Sequence, residues 1–286
     1  MSFARALRYA VLALAFARAL DAIAMNIDDG GEWNAVEDDD VREVTNDGRC
    51  DVRRMSADEV GSGERVEPVV VIDARRAREI FLFRENTRKA TLLRTYGDRE
   101  ITLSSADTYS SEKRRMTLRE YVEKGLKPVN GDARANETFY WFGDHVDDRG
   151  TNGLSELFAS YERLAFVPRD ADVAYSFGIG GPMSGVPLHV HGPGWSETIH
   201  GRKLWFLAPP EPAPEFDPNV TAYAWASERV RLGTNGDMLQ CVVSAGEAIY
   251  FPNAWWHATL NLDETVFMSS FVNYARKGGR ESGGEL

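Results

Sequence analysis

Two patterns of apolar and polar positions divide the chain. From about Val173 onward, short apolar runs alternate with breaks marked by Gly and Pro: AYSFGIG, PLHVH, ETIHG leading into RKLWFLAPP, LQCVVS, EAIYFP, HATLNL and VFMSSFV. Runs of this length, rich in β-branched and aromatic residues, predict the strands of an antiparallel barrel or sandwich. One stretch interrupts them, TAYAWASERV, which reads as a helix with Thr221 at its N-cap. Before Val173 the pattern is mixed. PVVVIDA, residues 68–74, is a β-branched strand, and Thr87 is placed to cap a helix through RKATLLRTY that Gly97 ends. REITLS follows as a strand. Thr117 and Glu120 have the spacing of a capping box for a helix to about Lys124, and a further helix fits Gly153 to Tyr161.

These patterns predict a mixed α/β portion over residues 50–165, a β core over 166–275 and a flexible tail over 276–286. Residues 25–49 contain DDGGEWNAVEDDD, with few apolar positions and no period, and read as an acidic disordered linker. Residues 1–24 are different again. Arg5 and Arg8 precede an apolar run from Tyr9 to Ala17, and small-x-small patterns end at Ala17 and Ala24, the layout of a secretory signal peptide. Arg18 and Asp21 cut the run short of a membrane-spanning length. An organelle transit peptide is the alternative to a protein of the endoplasmic reticulum lumen or a secreted one.

Composition narrows the function classes. The chain has 44 acidic against 33 basic residues, a formal charge of −11, so nothing favours general attraction to nucleic acid. Its two cysteines, Cys50 and Cys241, form one disulfide in an oxidising lumen or else stay as two buried thiols. Asn136-Glu-Thr138 and Asn219-Val-Thr221 are glycosylation candidates, and the terminal GGEL shares its last two residues with the luminal retention signal.

The candidate chemistry lies in the histidines. Three of the five sit in PLHVHGPGWSETIHGRKLWF. On a strand, residues i and i+2 point to one side, so His189 and His191 project together. His257, in GEAIYFPNAWWHATLN, belongs to a turn between two strands framed by Gly246, Pro252 and Asn261. If these strands are neighbours, three imidazoles converge, and neutral imidazole is the commonest nitrogen ligand for iron and other divalent metals. His200, just before Gly201, is expected at the surface, and His145, in GDHVDD, in a solvated loop. Trp195, Trp205, Trp255 and Trp256 are expected to fill the barrel. No nucleophile elbow, phosphate-cradling loop or zinc-finger spacing is present in the sequence.

The segment Gly246, five residues, Pro252, four residues, His257, three residues, Asn261 resembles the second cupin motif. The earlier segment resembles the first, with altered spacing to Glu197 and Gly201. More narrowly, HVHGPGWSETIHGRKLWFLAPP and GEAIYFPNAWWHATLNLDETVF together resemble the Jumonji C (JmjC) family, over a span from about Cys50 to the C-terminus. That resemblance implies a mainly β chain, a double-stranded β-helix of the cupin or jelly-roll type with a mixed α/β portion packed on it. It also implies an Fe(II)- and 2-oxoglutarate-dependent oxygenase acting on protein side chains. His189 matches the first iron ligand of the family and His257 the last. Lys203 matches the lysine that pairs with the distal carboxylate of 2-oxoglutarate, a charge-assisted hydrogen bond. Asn261 supports this shell, and Tyr140 and Ser184 are candidate co-substrate contacts.

Two positions depart from the family pattern. His191 stands where a carboxylate ligand is expected, and Val186 where a 2-oxoglutarate-binding Thr is frequent. A neutral ligand in place of a carboxylate leaves the metal one charge more positive and changes its redox tuning. Glu197 would restore a carboxylate as a fourth ligand. Three readings therefore stay open: an active oxygenase, an inactive pseudoenzyme that works through protein partners in the lumen, and a three-His cupin enzyme that does not use 2-oxoglutarate.

Overall fold

The structure, a computed structural model, describes residues 30–42, 44–45, 50–106, 112–126, 139–142, 154–233 and 238–274. Residues 1–24, read above as a signal peptide, Asn136, His145 and residues 276–286 lie outside these residues. Among the described residues twelve strands form: β1 Arg54–Ser56, β2 Val69–Ile72, β3 Glu100–Ser105, β4 Lys113–Thr117, β5 Phe139–Phe142, β6 Asp172–Gly180, β7 Gly194–His200, β8 Arg202–Ala208, β9 Leu239–Ser244, β10 Glu247–Phe251, β11 Trp256–Asn261 and β12 Thr265–Asn273. They make a nine-stranded sheet in the order β1-β2-β10-β7-β12-β6-β5-β3-β4 and a three-stranded sheet in the order β11-β8-β9. The chain is mainly β and folds as the jelly-roll barrel that the strand pattern predicts.

Strand β12 shows why these segments read as nearly continuous apolar runs. It pairs antiparallel with β6 on one side and β7 on the other. Phe267, Ser269 and Phe271 face the cavity between the sheets, while Val266 and Met268 pack outward against Ile80, Phe83, Leu92 and Tyr121. With both faces covered, solvent enforces no polar alternation. The outer face of the small sheet is covered in the same way: Leu204, Phe206, Ala258 and Leu260 lie beneath Ala222 and Ala226 of the helix Ala222–Leu232. That helix starts as the sequence predicts, with the Thr221 hydroxyl accepting the Ala224 N–H at 3.2 Å. The capping box at Thr117 and Glu120 also forms. No helix among the described residues is long and apolar enough to cross a membrane.

The acidic segment departs from its expected disorder. Trp33, only 6 % exposed, donates its indole N–H to the Thr87 carbonyl at 3.0 Å, and Val41 and Val44 join the core over the small sheet. Asn34 bonds Glu264 at 2.9 Å, the Val36 N–H bonds Asp263 at 2.9 Å, and Arg202 bridges Asp38 and Asp263. Composition misled here because three apolar residues hold the strap, Trp33 in one core and Val41 and Val44 in another, while Glu264, Asp263 and Arg202 satisfy its polar groups.

Thr87 does not cap the helix through RKATLLRTY. FLFREN is itself helical, Phe81–Asn86, so Thr87 ends that helix and donates its hydroxyl to the Phe83 carbonyl at 2.8 Å. The next helix, Lys89–Tyr96, follows Arg88. Finally, Cys50 and Cys241 are disulfide-bonded, tying the chain just before β1 to β9 across 191 residues of sequence.

Trp33→Ala should therefore lower the free energy of unfolding by about 3 kcal/mol in chemical denaturation. Val66→Ala, at a side chain 85 % exposed, should change it by less than about 0.5 kcal/mol.

Candidate metal centre

The three histidines meet through backbone pairing. PLHVH forms no regular strand, yet residues 183–191 run antiparallel beside β11. Met183 N–H donates to the Asn261 carbonyl at 2.8 Å, Asn261 N–H to Ser184 at 2.8 Å and Thr259 N–H to Val186 at 2.9 Å. His189 and His257 exchange both backbone bonds, at 3.1 and 3.0 Å, and the His191 carbonyl accepts the Ala254 N–H at 3.0 Å. The imidazoles of His189, His191 and His257 then lie with ligating nitrogens all within 4.8 Å of one another.

Their tautomers follow from their partners. Nδ1 of His189 lies 2.7 Å from the Pro187 carbonyl, Nδ1 of His191 2.7 Å from that of Gly192, and Nδ1 of His257 2.9 Å from that of Trp255. A carbonyl only accepts, so each Nδ1 carries the proton and each neutral ring turns a bare Nε2 inward. Nε2 of His191 and Nε2 of His257 are 3.1 Å apart. Two lone pairs at that separation repel unless a cation lies between them, which fits a metal site whose ligands are oriented by their outer hydrogen bonds. Burial favours the neutral form of all three rings. It pushes His189 down to about 4, lowers His191, and, with the other two rings adding to it, lowers His257 furthest. Deprotonated imidazoles are the form a metal requires.

Lys203 lines the same cavity. Its side chain is 2 % exposed, and Nζ donates to Asn261 Oδ1 at 3.1 Å. No carboxylate among the described residues reaches it, and burial pushes its pKa down to about 7. Asn261 is the clasp for this lysine: its Nδ2 donates to Ser184 Oγ at 3.0 Å. Gly180 is required beneath it, since a Cβ there would lie 1.9 Å from Asn261 Nδ2.

Other candidates are distributed differently. Ser184 spends its hydroxyl proton on the Gly181 carbonyl at 2.6 Å and does not line the cavity. Tyr140 is buried but does not line it either; Phe142, two residues on along β5, does. Glu197 is not a fourth ligand. Ser196 faces the cavity, so strand alternation turns Glu197 outward, where it is 0 % exposed and accepts Arg76 Nε and Nη2 at 2.8 Å each and the Tyr161 hydroxyl at 2.7 Å. Burial, with Glu197 beside it, raises the Tyr161 hydroxyl well above its ordinary range.

His200 is buried rather than exposed. The β7–β12 register shifts at Val266/Phe267, so Val266 pairs with His200 and Phe267 with Thr198. This places His200 on the outer face, against the Thr87 hydroxyl at 3.1 Å and beneath Gly31 of the N-terminal strap. Trp195 and Trp205 are buried, Trp205 in the cavity wall, whereas Trp255 and Trp256 are half-buried. Asn219 is exposed, with Nδ2 on Asp217 at 3.0 Å.

Sequence reasoning missed Thr259, Ser196, Ser269 and the aromatic walls Phe142, Phe251, Phe267 and Phe271. Thr259 was within reach, because it follows His257 by two on one strand face. Its Oγ accepts the Val186 N–H at 3.2 Å, so a hydroxyl does stand beside the position where Thr was expected.

No protein-family model matches the chain. It is similar to JmjC domain-containing protein 8 of Rattus norvegicus, 47 % identical over 194 residues that cover 66 % of this chain and 70 % of the relative. It is similar also to JmjC domain-containing protein 8 of Homo sapiens, 42 % over 234 residues, 80 % and 86 % of the two chains. A more distant relative is the human 2-oxoglutarate and iron-dependent oxygenase JMJD4, 29 % identical over 207 residues, 64 % of this chain and 49 % of the relative.

Glu197→Gln should leave metal stoichiometry unchanged while costing about 3 kcal/mol of stability, because the buried Arg76 loses its fully buried counter-charge and keeps only the half-buried Glu79 at 3.3 Å. Loss of metal from that variant would restore Glu197 as a ligand. Lys203→Met should stabilise the protein. The unfolded lysine takes its proton below 10.5 and the folded one only below about 7, so the unfolded state binds more protons in that window and the penalty grows as pH falls through it. At pH ~7 the gain should be about 3–4 kcal/mol in urea denaturation, shrinking toward zero as the pH approaches that of the unfolded lysine.

Proposed function

The chain belongs to the family of JmjC domain-containing proteins, and from that membership we propose that it is an Fe(II)- and 2-oxoglutarate-dependent oxygenase acting on protein side chains in the lumen of the secretory pathway. One observation carries the reading: three bare imidazole nitrogens turn to one point in the cavity that also holds an ammonium with no carboxylate partner among the described residues. His189, His191 and His257 would hold the metal. Lys203, steadied by Asn261, would receive a carboxylate of the co-substrate, and an arriving anion would restore its proton near neutral pH. When bound, iron and 2-oxoglutarate supply the oxidising chemistry.

The chain's own residues prepare the cavity for it. Phe142, Phe251 and Phe271 wall the space with apolar surface, which strengthens charge interactions within. The Thr259 hydroxyl and the paired hydroxyls of Ser196 and Ser269, 3.1 Å apart, are neutral polar groups that can orient a ligand. With three neutral ligands instead of two and a carboxylate, the site keeps one more unit of positive charge, which favours an anionic co-substrate. The relative named as a 2-oxoglutarate and iron-dependent oxygenase supports the reaction class. The signal-peptide layout and the disulfide support an oxidising compartment.

A second reading, a metal-holding barrel that acts through protein partners, draws on the same residue, His191, because the missing carboxylate alters redox tuning. One experiment divides the two. Full-length protein loaded with Fe(II) should convert 2-oxoglutarate to succinate, His257→Ala and Lys203→Met should abolish turnover, and His191→Asp should raise it. Stoichiometric metal without turnover in both the wild type and His191→Asp would sink the oxygenase and leave the second reading.

A further inference from the structure

Phe267 lines the cavity, yet neither the metal ligands nor the lysine clasp needs a ring there. Its position is nevertheless set by three separate features. Strand β12 pairs with β6 in unbroken register, so Phe267 is aimed into the cavity by the same two-residue alternation as Ser269 and Phe271. Opposite it on β6 stands Gly178, where a Cβ would lie 2.2 Å from the ring's Cζ, so the ring lies directly over a bare backbone. Phe142 packs against it with ring centroids 5.3 Å apart.

The ring so placed sits on Lys203. Nζ is 3.7 Å from the ring centroid, a contact attractive in itself because the ammonium meets the negative face of the aromatic ring. Of the three N–H directions of Lys203, one serves Asn261 and another is covered by the ring. The free space in the cavity is only ≈ 30 Å³. That is room for a water or two, at about 10–15 Å³ each, and not for a five-carbon dicarboxylate.

We propose that Phe267 is the specificity gate of the co-substrate pocket: its ring holds the face of Lys203 that a carboxylate must take, so an extended dicarboxylate binds only when the ring swings away. This rests on the reading that Lys203 receives the carboxylate of a co-substrate. Phe267 thereby lowers the affinity for 2-oxoglutarate and discriminates against larger anions.

The test uses the full-length chain loaded with Zn(II) and titrated calorimetrically with 2-oxoglutarate. Phe267→Leu and Phe267→Met both keep apolar bulk and remove the aromatic face, so a folding defect in one leaves the other. Each should bind 2-oxoglutarate about tenfold more tightly than the wild type, with zinc stoichiometry unchanged. The gain should vanish when Lys203→Met is added. Equal affinity in the wild type and both Phe267 variants, with binding still lost on Lys203→Met, overturns the gate and leaves the co-substrate reading standing. A gain that survives Lys203→Met also overturns the gate. No binding by any zinc-loaded variant overturns the co-substrate reading itself, and the gate with it.

Discussion

Everything at the centre depends on the two backbone hydrogen bonds that His189 and His257 exchange. They lock an irregular segment, residues 183–191, onto β11 in one register. A slip of one residue would turn each side chain of either partner to the opposite face. In the register observed, His257, Thr259 and Asn261 come from one strand face and His189 and His191 from the facing segment, so ligands, hydroxyl and lysine clasp are placed by a single pairing. Three further carbonyls, of Pro187, Gly192 and Trp255, then fix the tautomers.

Charge is sorted across β7. Its one buried carboxylate, Glu197, faces outward and is neutralised by Arg76, joining the helix Arg76–Glu79 to the barrel. The lining of the cavity holds no carboxylate among the described residues, three imidazoles kept neutral by burial, and one ammonium. Such an interior stabilises the fold poorly. Lys203 in particular lowers stability for as long as it lacks an anion, and residues that cost stability in this way are typical of binding sites. The charge pattern of the cavity thus favours an anionic ligand, the sign that the proposed co-substrate carries.

Sequence alone determined what depends on near neighbours. The strands β6 to β12 follow from short apolar runs and their Gly and Pro breaks, and the capping box at Thr117 and the cap at Thr221 follow from spacing within one turn. The pairing of His189 with His191 on one side follows from the two-residue period. Tertiary structure decided the rest. His200 is turned outward by a register shift that depends on β12, a strand more than sixty residues away in sequence. Glu197 is claimed by Arg76 and Tyr161, which its own neighbourhood does not mention. The acidic strap is ordered by pockets built from other segments, and Phe267 comes to rest on Lys203 because the pairing of β12 with β6, a glycine and a second ring converge there. Periods and caps are local energies and can be read along the chain. Which face a residue shows after a bulge, and what stands opposite it, are set by pairing between distant strands and become legible only once the strands have met.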